Sequence, residues 1–483
     1  MTRLIKLENI IFLTLSGVFF TFIALAAYTE EYLIAFVPFV LLFLLFSWRR
    51  PEIIFFLLLV ALPFSFEYNF TPDLGTDIPD EFLMILLSGL LVFQLAYQEK
   101  KYLLPIIRHP LLGVIVLSFF WLIITVIFSS YWMISLKFLV AKTWYIIPFV
   151  IGPVLFIKTS NGYRNFALFF AGSIVLASFI VLIRHSFSGF SFATINDAVH
   201  PLFRNHVNYS AMLVCCIPVL VAFFSLVSRK KLKWIVAALI VVSLIALLFS
   251  YARGAWMALV AGILAYWLIK KRLILIVYMV SVLFSIASVI WLKNNDRYLE
   301  FAHDYKTTIF HRDFGKHLVA TYKLKDISTA ERFYRWIAGV RMTKDSWLTG
   351  FGPATFYNNY KEYAVPAFKT WVSDNKEHST VHNYFLLLLI EQGVAGLLLF
   401  LVLAGLMLWY CQHRYVTCNS KLDKTIYLTT GVIIAMVLTV NFLSDLIETD
   451  KVGSIFFLCA GIIISTDLNN KKLNSAPDIE SIS

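Results

Sequence analysis

The sequence predicts an all-α polytopic integral membrane protein with about 12–14 transmembrane helices and one large extracytoplasmic loop. Three observations support this class: composition, the length of the apolar runs, and the placement of charge. Of 483 residues, 60% are hydrophobic and 14% are charged, and the mean hydropathy is +0.78. A soluble domain is typically about 45–50% apolar and about 25% charged. The excess lies in runs of about 15–20 residues, which suit lipid-facing helices better than a single soluble core.

Each run is a candidate span. The basic start followed by an apolar run resembles a signal peptide, but no small-residue cleavage site follows it, so we expect a retained first helix. The third and last runs are short, which leaves twelve or thirteen full crossings possible. The apolar stretches lie at roughly 9–28, 32–48, 52–65, 81–97, 110–129, 134–157, 164–184, 207–228, 232–250, 254–269, 273–292, 382–410, 425–444 and 451–466.

Lysine and arginine predict the orientation. They concentrate in alternate short loops, as the positive-inside rule expects if both termini are cytoplasmic. The long hydrophilic stretch then falls on the outer side of the membrane. The net charge of +12 is therefore a topology signal. It does not indicate a nucleic-acid partner.

The long loop divides the chain. We expect N-terminal helices in 1–200, further helices in 201–292, the loop in 293–381, C-terminal helices in 382–466 and a cytoplasmic tail in 467–483. Aromatic residues in the loop predict an amphipathic helix over about 329–347, ended by the Gly350-Phe351-Gly352-Pro353 turn. So much apolar content in a long loop is typical of a folded lid.

Missing motifs narrow the chemistry. The sequence has no GxxxxGK[ST], HExxH, GxSxG or outer DxD pattern, so ATP and nucleotide-sugar donors are not expected. None of the five cysteines lies in the loop. His378 and His382 are four apart, but no third metal ligand is evident. We predict no cofactor and no metal, and hence a substrate that is already activated.

Polar groups gather where apolar runs end on the predicted outer side. His382 and Asn383 begin the twelfth run, Arg253 lies in a short turn between two runs, and Arg204 precedes the eighth run. Ionisable residues at such positions are functional candidates. Taken singly, each arginine is as well explained as an interfacial anchor, and the histidine as a hydrogen-bonded surface group.

The run after His382 carries a further pattern. At helical spacing, Gly393 and Gly396 lie on the same stripe as His382 and permit close helix approach. Glu391 would lie about 13 Å inside the membrane and must be paired or neutral there. An interhelical hydrogen bond is the favoured role for it, with proton relay as the alternative.

These residues resemble the O-antigen ligase and polymerase superfamily of bacterial envelope enzymes. The family pattern His-[Asn/Ser/Gln]-x9-Gly-x2-[Gly/Thr/Tyr] is met by His382, Asn383, Gly393 and Gly396. The Arg253-Gly-Ala-Trp turn resembles a family segment in which Ser precedes the arginine, a place that Ala occupies here.

Two further stretches are similar to the family. One runs from Arg204 through Asn205, His206 and Asn208, and the other is the loop segment that starts at Glu331 and contains Arg332 and Arg335. Together the similar segments cover about residues 200–400.

The resemblance implies a GT-C-like glycosyltransferase of the inner membrane. Such enzymes move a glycan from undecaprenyl diphosphate to an acceptor, which is lipid A–core for ligases, and the ligases are inverting and metal-independent. By this resemblance His382 is the general base, and Arg204 and Arg253 stabilise the diphosphate. Substrate-orienting roles then fall to Asn383, Asn208, Asn205, His206, Arg332 and Arg335. Membrane lipids are the remaining expected partner.

Two alternatives stay open. A polymerase of the same superfamily differs only in its acceptor, which variable loops would recognise. A lipid-glycan flippase would need charges along a path through the membrane, whereas here the polar groups cluster at one face. The deeper exceptions are Lys137, Lys142 and Glu391.

Overall fold

The computed structural model describes residues 2–71, 74–301, 327–366, 369 and 380–475. His378 and the rest of the long loop between these ranges lie outside the described residues. The described part is helical apart from one antiparallel hairpin. Its strands are β1 (Phe66–Thr71) and β2 (Leu74–Ile78), in which Phe66 faces Ile78.

The helices follow the apolar runs, because only an α-helix satisfies its own backbone groups in lipid. They are α1 (Thr2–Thr29), α2 (Val37–Arg49), α3 (Pro51–Ala61), α4 (Asp80–Ala96), α5 (Lys100–Ile107), α6 (Pro110–Ile127), α7 (Trp132–Phe156), α8 (Ser160–Ser186), α9 (Ile195–Val199), α10 (His206–Leu226), α11 (Lys230–Leu248), α12 (Arg253–Lys270), α13 (Ile274–Lys293), α14 (Ile327–Met342), α15 (Phe356–Asn359), α16 (Tyr384–Thr417), α17 (Lys421–Phe442) and α18 (Asp450–Ser475).

Ten helices in the described part are long and apolar enough to cross a membrane, or eleven if the bent pair α4 and α5 counts as one span. The third predicted run is the short helix α3, of 11 residues. Helix α12 has 18 residues with a charge at each end, and it packs along the span α17, so we expect it to cross as well. The all-α polytopic class is confirmed.

The chain divides into two compact units, residues 1–55 and 56–483. In the first, Phe19 of α1 packs edge-on against Phe39 of α2, with ring centroids 5.5 Å apart. The second unit contains the hairpin, the loop helices and the remaining spans. It also contains every candidate site residue.

Helices α12 and α17 run antiparallel and approach closely. A side chain at Gly262 would collide with Met436, and one at Gly431 would collide with Ile269. Residue numbers therefore rise along α12 as they fall along α17. This register fixes which ends of the two helices are neighbours.

Helix α16 is broken at Gly393, where φ is 68° and ψ is −173°. The expectation that Gly393 and Gly396 share an uninterrupted stripe below His382 is therefore wrong. Residues 394–417 alone, at about 1.5 Å per residue, suffice to cross about 30 Å of hydrocarbon. The preceding turns of α16 are not needed for the crossing, so Glu391 does not have to lie at the depth predicted for it.

The long loop fills this break. Val394 donates its backbone N–H to Trp347 (2.8 Å), while Phe351 and Gly352 donate theirs to Ile390 (2.9 Å) and Glu391 (3.0 Å). The predicted amphipathic helix is present as α14 but ends at Met342, about five residues before its predicted end, and the turn at Gly350–Pro353 lies against the opened helix. A segment expected to be a surface break thus forms part of the helix packing.

Glu391 holds the same junction through its side chain. Its carboxylate accepts hydrogen bonds from the backbone N–H groups of Ala354 (2.9 Å) and Phe356 (3.0 Å). Its partners are loop backbone groups, whereas the favoured expectation was a neighbouring membrane helix. The buried carboxylate therefore fixes the loop on α16.

Gly393→Ala should destabilise the protein by more than about 1 kcal/mol, because an added Cβ would lie 1.9 Å from the Leu348 carbonyl oxygen at a φ that L-residues avoid. Thermal unfolding in detergent measures the effect. Gly172→Ala in α8 is the matched control, because no heavy atom lies within 4 Å of its added Cβ. Equal melting temperatures for the two variants would contradict a structural role for the break.

Candidate functional site

His382 lies at the entry to α16 in a constrained backbone. Its φ is 52°, a left-handed conformation that non-glycine residues seldom adopt. The preceding carbonyls are held by α14: Arg335 donates to Thr380 O (3.1 Å) and Trp336 donates to Val381 O (2.9 Å). The loop helix therefore sets the position of His382.

A carboxylate that the sequence analysis missed faces this histidine. Asp445 follows α17, and its Oδ1 is 3.8 Å from His382 Nδ1, which is longer than a hydrogen bond but close for opposite charges. The side chain of His382 is 38% exposed and that of Asp445 is 14% exposed. With Nδ1 towards the carboxylate, Nε2 is directed away from Asp445. The pair resembles a base and its orienting group.

Asp445 is held in its ionised form. Burial by itself would raise the pKa of its carboxyl, but the interactions with His382 and with the Thr380 hydroxyl outweigh burial and lower that pKa. Thr380 donates a hydrogen bond to Asp445, and Tyr384 N donates to the carbonyl of Ser444 (3.0 Å). Two contacts thus join the start of α16 to the end of α17.

We expect Asp445→Asn to lower the rate of the reaction that His382 serves by about 10²-fold or more, because an amide does not select the imidazole tautomer as a carboxylate does. The loss should appear in kcat with KM for the donor unchanged. The control is Asp423→Asn, at the opposite end of α17. A change confined to KM would place Asp445 in substrate binding instead.

The 3₁₀ turn after Asp445, Leu446–Glu448, is anchored by a buried ion pair. Lys142 Nζ lies 3.0 Å from Glu448 Oε2, and Tyr145 OH donates to Ile447 O (3.3 Å). Burial raises the pKa of Glu448, and the charge of Lys142, which lowers that pKa, only partly offsets the rise. Lys142, one of the deeper charges noted in the sequence, forms an internal ion pair that fixes the turn.

Arg253 begins α12 at the same end of the helices. Gly262 contacts Met436, and Arg253 lies nine residues before Gly262 in α12. Asp445 lies nine residues after Met436, three residues beyond the end of the antiparallel helix α17. The two residues therefore lie towards the same end of these helices. Before Arg253, Tyr251 has φ 54° and donates its hydroxyl to Phe190 O (2.6 Å), which fixes the turn.

Arg204 lies in an exposed turn before α10. Lys451, in the first turn of α18, donates to Leu202 O (2.6 Å) and to Ser65 O (2.7 Å). The Arg204 turn is therefore tied to the helix that follows the 446–448 turn. His382, Arg253 and Arg204 belong to three chain segments that meet at one end of the bundle, which we call the His382 end.

The residues after Arg204 mainly build the start of α10. Asn205 is its N-cap and accepts from the N–H groups of Val207 and Asn208, both at 3.0 Å. His206 Nδ1 is 2.8 Å from Asn196 Oδ1. Asn208 is buried, and its Oδ1 has no hydrogen-bond partner within the described residues.

The remaining predicted residues are structural in this conformation. Asn383 caps α16 by accepting from Leu386 N (3.0 Å). Arg335 is 2% exposed and pairs with Glu331 at 3.3 Å, so it clamps the chain before His382. Arg332, on the same helix, is half-buried.

A cluster of three aspartates lies near the Arg204 turn. Carboxylate oxygens of Asp77, Asp80 and Asp450 lie within 4.8 Å of one another, a spacing that could hold a cation. Asp80 already accepts from the Ser65 hydroxyl (2.8 Å). Burial, followed by the charge of Asp450, raises the pKa of Asp77 to about 7. We assign no metal to this group.

The helices and the His382–Asp445 pair define a multi-pass membrane protein with a candidate acid–base site at one end of its bundle. Residues 238–401 match the family model described as O-Antigen ligase. The match covers about a third of the chain and includes Arg253, His382 and Asn383, while Arg204 and Asp445 lie outside it. This segment of the chain is therefore similar to the O-antigen ligase family. No curated protein matches it.

Proposed function

We propose that this protein is an O-antigen ligase-type glycosyltransferase. It moves a glycan from undecaprenyl diphosphate to lipid A–core on the periplasmic face of the bacterial inner membrane, with both termini cytoplasmic. The observation that carries the proposal is the His382–Asp445 pair, which lies towards the same end of the helices as Arg253 in a chain similar to this family.

The reaction is a single displacement. The acceptor hydroxyl attacks the anomeric carbon, its proton passes to Nε2 of His382, and the bond from that carbon to the diphosphate oxygen breaks. The configuration inverts. Asp445 favours the imidazolium that forms, since its carboxylate faces Nδ1.

The leaving diphosphate gains negative charge as the bond breaks. Arg253 and Arg204 would stabilise it, because guanidinium groups stay charged and bind phosphate oxygens in pairs. Asn208, whose buried Oδ1 lacks a partner within the described residues, is a candidate contact for a sugar hydroxyl. The activated donor supplies the driving force, so ATP is not required.

Reconstitution tests this proposal. Purified protein in detergent is given undecaprenyl-diphosphate-linked glycan and lipid A–core without ATP. We expect core-linked glycan on a gel. A transporter would form no product without a membrane to cross, so absence of product with active donor would overturn the proposal.

Deletion of the gene distinguishes a ligase from a polymerase by the lipopolysaccharide that remains. Loss of a ligase should leave bare lipid A–core while lipid-linked polymer accumulates. Loss of a polymerase should leave core capped with single repeat units. The second pattern would move the assignment within the superfamily.

A further inference from the structure

A cavity of about 310 Å³ opens at the end of the bundle opposite His382. It lies between the first half of α8, the last turns of α10, the first half of α17 and the first half of α18. Its wall is almost entirely apolar, with Phe170, Val219, Phe223, Ile433, Leu458 and Ile462 among its lining residues. Protein interiors seldom leave a void of this size, and apolar walls give water no hydrogen-bond partners.

The rim of the cavity is basic. Arg164, which is exposed, lines it directly beside Ser160, and Leu232 and Leu422 line it from the first turns of α11 and α17. The chain around those two leucines contributes one acid, Asp423. It contributes six cations: Arg229, Lys230, Lys231, Lys233, Lys421 and Lys424.

We propose that this cavity binds an anionic glycerophospholipid such as phosphatidylglycerol. One acyl chain fills the cavity, and the headgroup phosphate lies on the rim at Arg164. Charge complementarity selects this occupant, because basic pockets between membrane helices favour anionic headgroups over zwitterionic ones. The positive-inside pattern assigns this end to the cytoplasmic leaflet. The proposal does not depend on the glycan-transfer function.

Native mass spectrometry of the full chain in detergent tests the site. The probes are phosphatidylglycerol and phosphatidylcholine with identical acyl chains. We expect the wild-type protein to retain phosphatidylglycerol over phosphatidylcholine by about fivefold or more. Equal retention of the two lipids would overturn the proposal.

Two pairs of variants locate the lipid. Ala167→Phe fills the cavity and should lose most of the bound phosphatidylglycerol, whereas Leu168→Phe, at a neighbouring position that is 50% exposed, should keep it. Arg164→Glu should abolish the preference for phosphatidylglycerol, while Lys100→Glu, exposed at the start of α5, should not. Retention by Ala167→Phe equal to that of its control would contradict the proposal.

If Ala167→Phe does not fold, the exposed Arg164→Glu variant still tests the proposal. An unchanged lipid preference in Arg164→Glu would overturn it. Displacement of phosphatidylglycerol by an equimolar polyprenyl phosphate would also overturn it, since the occupant would then be a different lipid.

Discussion

His382→Ala is expected to lower glycan transfer by about 10²- to 10⁴-fold, the usual contribution of a positioned general base. The variant removes the only imidazole paired with Asp445 in the described residues. Initial rates with saturating donor and acceptor measure the loss. Because His382 is partly exposed, its removal should leave expression and membrane insertion unchanged.

His413→Ala is the matched control for this result. His413 is exposed near the other end of α16, where it stacks on Trp409 with ring centroids 5.0 Å apart. It should transfer glycan at the wild-type rate. Normal transfer by His382→Ala would remove the base assignment, whereas equal losses in both variants would indicate a folding defect.

Arg253→Lys is expected to lower transfer by about 10²- to 10³-fold although the charge is kept. A preorganised donor at a developing anion is typically worth about 3–4 kcal/mol, and lysine cannot reproduce the two-pronged contact of a guanidinium. The deficit should fall on kcat, because in the proposed reaction the diphosphate gains its charge in the transition state. Product formation at saturating donor measures it.

Arg272→Lys, beyond the opposite end of α12, is the control and should be neutral. If Arg253→Lys equals the wild type, charge alone matters and the fork geometry does not. If its KM rises while kcat is unchanged, Arg253 binds the ground state of the donor.

Three residues of the candidate site could be predicted from the sequence, but the pairing of His382 with a carboxylate could not. His382, Arg253 and Arg204 were identified because polar groups between apolar runs stand out at one predicted face. Asp445 was missed, although three acids occur between Asp445 and Asp450 in the short connection before the last apolar run. Three acids so close together in a predicted outer loop indicate a possible site. The orientation was predicted from lysine and arginine alone, so these acids were not considered.

The break in α16 at Gly393 is the other difference between the prediction and the structure. The spacing of Gly393 and Gly396 predicts one helix face, because periodicity assumes an unbroken helix. Tertiary contacts decided otherwise: backbone groups of residues 347–352 hydrogen-bond to the opened helix, and Glu391 fixes the loop there. Such a break repeats no local pattern and depends on a segment about 40 residues away.

By itself the sequence determined the polytopic all-α class, the helix in the long loop and the residues where chemistry is possible. Hydrophobic run length and residue type act locally, so they can be read without neighbours. Only the tertiary structure decided that Asp445 faces His382, that Lys142 pairs with Glu448, and that Arg253 and Asp445 lie towards the same end of α12 and α17. Those facts depend on helix register, which is set by close packing at residues such as Gly262 and Gly431.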